Sequence, residues 1–82
     1  MDKQGYIAAL MTAAIAAVEF DPKIYKAVKE RAKREGRTIL EQTIRSAQEA
    51  VAADLKQDGW KIKNVHDSAT WQPPAGTNYA DN

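Results

Sequence analysis

The stretch FDPKIYKAVKERAKREGRT, residues 20–38, carries seven cationic side chains in a chain of 82 residues. Lys26, Lys29, Lys33 and Arg37 recur at near-helical spacing and Lys23 extends the row, which makes one positive stripe able to follow a line of phosphates. The stripe runs into Thr38 and Ile39. If a helix begins there, its unpaired N–H groups and its dipole favour an anion, so Arg37 and Thr38 could cradle one phosphate. The plainer reading is a solvated helix face, because Glu30 and Glu35 offset part of the charge and Thr38 can act simply as a cap.

Catalysis finds less support in the residue types. The single histidine, His66, adjoins Asp67, but neighbouring residues seldom face one another, so a His–Asp pair is not expected from adjacency. Cysteine is absent, and there is no glycine loop for phosphates and no metal-ligand spacing. An enzyme is therefore not expected, nor a metal or cofactor. Trp60 and Trp71 could stack on bases, yet no basic cleft surrounds them in the sequence, and docking on the helices is the reading preferred for both. Tyr25 is read in the same way, as a residue at the edge of the core.

Clear punctuation places these groups on elements. Asp21-Pro22 reads as a cap followed by a proline whose missing N–H costs nothing in a first turn, so a helix should start at Pro22. Gly36 can take the left-handed conformation that closes it near Glu35. Thr38 and Glu41 have the spacing of a capping box, which starts a second helix at once, and Gly59 stops that helix after about Gln57. Apolar residues recur every three or four positions in both helices: Ile24, Val28 and Ala32 in the first, and Leu40, Ile44, Ala47, Val51 and Leu55 in the second. The stripes can pack together, leaving Glu41, Arg45 and Glu49 outside as i,i+4 pairs of opposite charge.

The flanks are less decisive. GWKIKNV alternates apolar and basic residues like a short, half-buried strand. Residues 66–82 are rich in Pro, Gly, Asn, Asp and Thr and read as an extended or disordered tail on which only Trp71 docks, against a single small domain of residues 1–65. The apolar run from Tyr6 to Val18 is too short and too alanine-rich for a membrane span and lacks a positive leader, so a cytoplasmic chain without a membrane partner is expected. The fold class is mainly α, with either a short strand or an Ala-rich helix before the helical pair. A domain this small buries only about 60% of its unfolded surface, and with no disulfide to help, a homodimer or a place in a larger complex is expected.

Residues 18–51, VEFDPKIYKAVKERAKREGRTILEQTIRSAQEAV, resemble the ribbon-helix-helix family of DNA-binding proteins, with Ala32, Gly36, Arg37 and Thr38 at the interhelical turn. The resemblance implies a transcription regulator that pairs strands from two chains, with Val18 and Phe20 inward, and binds DNA through Lys23, Lys26, Lys29, Lys33, Arg37, Thr38 and Ile39. Under it the groove-facing positions would be Ile15, Ala17 and Glu19, which supply no donor to base edges. AALMTAAIAA is also composed largely of strong helix formers, and a helix there would remove the ribbon. The flanking segments look faintly like the small accessory subunits of biotin-dependent acyl-CoA decarboxylases and carboxylases. That resemblance implies instead a helical subunit that stabilises a larger assembly without nucleic acid.

Overall fold

The computed structural model describes residues 2–76, and the chain forms three helices followed by a small strand pair: α1, Lys3–Phe20; α2, Pro22–Glu35; α3, Ile39–Gln57; β1, Lys61–Ile62; and β2, Trp71–Gln72. A short 3-10 turn, Ser68–Thr70, precedes β2. All three helices pack against one another.

Helix α1 settles the alternative at the N-terminus. Residues 14–20, the stretch that a ribbon would need as strand, are helical throughout, in keeping with the helix-forming preference of the Ala-rich sequence. Its Asp2 side chain accepts from the Gly5 N–H at the start. Val18 is buried within this helix while Phe20 is 84% exposed, so the two do not form the inward-facing pair that a strand would present. A single residue joins α1 to α2. Asp21 sits in extended conformation, as a residue before proline should, and its carboxylate accepts from Lys23 N–H at 3.0 Å, so it ends one helix and caps the next.

The α2–α3 connection follows its sequence punctuation. Gly36 adopts φ 70°, and the Arg37 N–H folds back to the Ala32 carbonyl at 2.9 Å, which satisfies a carbonyl left open at the helix end. Thr38 and Glu41 make the capping box in both directions: Glu41 N–H donates to Thr38 Oγ1 at 3.1 Å, and Thr38 N–H donates to Glu41 Oε1 at 3.0 Å.

The main core lies where α1, α3 and the strand pair meet. Ile7, Val51, Ala52, Leu55, Trp60 and Trp71 are buried together, with Tyr6, Leu10 and Met11 among the side chains packed around them. The Tyr6 and Trp60 rings stack with centroids 6.1 Å apart. Trp71 has 0% exposure, and its indole N–H donates to the Asn64 carbonyl at 2.8 Å, so the one polar atom of a fully buried ring is satisfied.

Residues 66–76 differ from the extended tail expected of them. β2 pairs antiparallel with β1 in the register Lys61↔Gln72 and Ile62↔Trp71, which provides the partner that a lone strand lacks. Thr70 Oγ1 donates to the Asp67 carbonyl at 2.7 Å and accepts from Asn64 N–H at 3.1 Å, while Asp67 caps the 3-10 turn through Ala69 N–H. Polar residues that suggest disorder by composition here close a compact loop through side chain–backbone bonds. The rest of the expected tail, residues 77–82, lies outside the described residues.

Candidate functional site

The positive stripe is present on α2. Lys23, Lys26, Lys29 and Lys33 are all exposed, on the side of the helix away from buried Val28 and Ala32. Lys29 Nζ also lies 5.9 Å from the centre of the Tyr25 ring, a cation–π contact within its own helix. The remaining candidates, Arg37, Thr38 and Ile39, are brought together at the α2–α3 turn.

That turn is already supplied with anions from within the chain. Glu41 occupies the N-terminus of α3, where the Thr38 backbone N–H and hydroxyl hold its carboxyl below the ordinary glutamate value. A carboxylate in this place satisfies the helix dipole that a phosphate would otherwise meet. Arg37 forms an ion pair with Glu35, whose own carboxyl is pulled down chiefly by its hydrogen bond to Arg31. At the expected phosphate cradle the Thr38 and Glu41 N–H groups and the Arg37 guanidinium are thus engaged within the chain.

A second cluster was hidden by sequence distance. Arg31 of α2 grips Glu49 of α3 with two bonds of 2.7 and 3.0 Å and reaches Glu35 at 2.8 Å. Glu49 Oε2 lies 3.0 Å from His66 Nε2, and Arg45 Nη2 lies 3.2 Å from His66 Nδ1. Since arginine can only donate, Nδ1 must accept, which leaves the Nε2–H tautomer to donate to Glu49. Both ring nitrogens are thus engaged. The cluster joins α2, α3 and the loop before β2, and it leaves the imidazole no free lone pair for proton abstraction. His66 does not pair with Asp67, whose carboxylate instead accepts from Ala69 N–H. Among the described residues Arg45 makes no ion pair with Glu41 or Glu49; Glu41 is bound in the capping box, and Glu49 by Arg31 and His66. The bonds that join its elements span 17 to 21 residues in sequence, and nothing but the presence of a lone histidine marks the cluster beforehand.

The surface holds a further anomaly. On α3 the apolar stripe is buried at Ala47, Val51 and Leu55, but Leu40 is 69% exposed and Ile44 is exposed as well. In the same turns Gln42 and Thr43 are buried. Gln42 Nε2 donates to Ser46 Oγ at 3.0 Å while its Oε1 has no partner, and the Thr43 hydroxyl turns back to the Ile39 carbonyl at 2.7 Å. Phe20, Ile24, Tyr25 and Ile39 are also exposed. Ile24, Ala27 and Val28 floor a groove of about 380 Å³ between α2 and α3, edged by Lys23, Arg31 and Glu49.

Among the described residues no group of three His, Cys, Asp or Glu side chains is placed to hold a metal ion, and no helix is long and apolar enough to cross a membrane. Comparison with protein-family models, with curated proteins and with solved structures finds no match to this chain.

Proposed function

We propose that this chain is a non-enzymatic helical interaction module, an accessory subunit that docks on a larger protein through the α2–α3 hairpin. The observation that carries this reading is the half-covered stripe of α3. Leu40 and Ile44 lie on the same helical face as Ala47, Val51 and Leu55, so the face continues beyond the reach of its cover within the chain. Large apolar side chains left in water beside a buried core are what a partner would remove from solvent.

A DNA-binding regulator is the second reading, favoured by the exposed lysines of α2. It ranks lower because α1 is helical where a strand ribbon is required, and because Glu41 stands at the α3 N-terminus where a phosphate would bind. A photo-crosslinking amino acid at position 40, set beside one at exposed Lys61, tests the choice in cells that make the protein. The docking reading requires a discrete protein adduct from position 40 that position 61 does not give. Equal, diffuse labelling at both, together with a duplex shifted in a gel at low salt, would transfer support to DNA.

A further inference from the structure

We infer that the partner segment is an acidic amphipathic helix, held by Leu40 and Ile44 on its apolar face and by Lys33 and Arg34 on its charged flank. The inference rests on the docking reading and adds the chemistry of the occupant. Residues 21–41 carry seven cations against four anions in a chain whose net charge is only +1, so the rest of the chain is net negative. Within the hairpin three of the four anions are already committed, Glu30 being the exception. Glu35 binds Arg31 and Arg37, Glu41 closes the capping box, and Asp21 caps α2. Lys33 and Arg34, in the last turn of α2, take part in no ion pair among the described residues.

The tight turn brings the two halves of this surface together. Only Gly36, Arg37 and Thr38 separate the end of α2 from Ile39 and Leu40, and the Arg37 N–H bond to Ala32 folds the turn back on α2. Exposed cations in the last turn of α2 thus stand one short turn before exposed apolar residues spaced by four in the first turns of α3, the spacing that a docked helix reads with its own i and i+4 anchors. A second copy meeting the same end would oppose Lys33 and Arg34 to their own kind. A helix with glutamates beside its apolar stripe would pair with them instead, which favours the correct partner and speeds its encounter.

The test uses three fluorescent peptides of about 20 residues, long enough for a helix of about 30 Å. Each has the same leucine stripe, with glutamate, glutamine or lysine on the flanks, and each is titrated against the full chain by anisotropy. The acidic peptide should bind at least about tenfold more tightly than the glutamine peptide, and the lysine peptide more weakly than either. Leu40→Ser with Ile44→Ser should weaken the acidic and glutamine peptides together. Lys33→Glu with Arg34→Glu should erase the acidic preference while leaving the glutamine peptide bound. Equal binding of the acidic and glutamine peptides overturns the acidic partner but leaves the docking surface standing. Binding by none of the three removes both ideas. A stable dimer abolished by Leu40→Ser would make a second copy the occupant, and a DNA duplex bound more tightly than the acidic peptide would make it nucleic acid. Either result overturns the inference.

Discussion

The two halves of α3 obey the same amphipathic pattern and meet different fates. Its C-terminal half is covered by α1 and by the tryptophans of the strand region, so Val51, Ala52 and Leu55 leave water with Ile7, Trp60 and Trp71. Its N-terminal half faces α2, which contributes only Val28 and Ala32 as buried residues. At about 25 cal/mol per Å² of apolar surface, small side chains supply less burial energy than a cluster with two indoles. Hydrogen bonds and ion pairs therefore carry more of the organisation at the hairpin end, including a capping box, a left-handed glycine and the Arg31–Glu49 grip. A periodic apolar stripe thus specifies a helix and a face, but burial depends on what arrives to cover that face.

The contrast breaks most sharply at Trp71. Replacing this fully buried residue with alanine should cost about 3–5 kcal/mol, measured by urea denaturation, because both its packing volume and its bond to Asn64 are lost. A cost below about 1 kcal/mol would mean that the strand end is not the stabilising core. At the other end, Gly36→Val forces a β-branched residue to φ 70° and should cost about 1–2 kcal/mol, while Thr38→Ala, which removes half of the capping box, should cost about 1 kcal/mol. Unchanged urea midpoints in both variants would show that the turn contributes little.

The charged cluster sharpens the comparison through pH. Arg31, chiefly by hydrogen bonding, and His66 hold the Glu49 carboxyl below its ordinary value, against the opposing effect of burial. A depressed carboxyl adds stability that is present above its unfolded pKa and is lost as pH falls through the lower, folded one. Thermal midpoints of the wild type and Glu49→Gln should therefore differ at neutral pH and converge in acid below the usual glutamate range. The difference should be modest, since the Glu49 side chain is 33% exposed and solvent screens the pair. A gap that stays constant into acid would show that Glu49 acts by packing and not by charge.

The smallest expected effect falls on the proposed contact surface. Leu40→Ser removes a large apolar group that the chain itself barely covers, so stability should change by less than about 0.5 kcal/mol on chemical denaturation. A loss of several times that amount in the isolated chain would mean that Leu40 is already buried, for instance in a homodimer.

Much of this molecule was legible locally. Asp21-Pro22, Gly36 and the Thr38–Glu41 box determined where α2 begins and ends and where α3 begins, because caps and left-handed turns depend on residues within one or two turns of the boundary. The alanine content of residues 8–17 favoured a helix over a ribbon strand through propensity, but the choice stayed open until α1 was seen packed against α2 and α3. Tertiary structure decided the rest. His66 finds Glu49 and Arg45 because the strand pair returns the chain across α3, a closure over 17 to 21 residues that no local pattern encodes. The burial of Gln42 and exposure of Leu40 were equally out of reach, since periodicity defines the faces of a helix while neighbouring elements determine which face is kept from water.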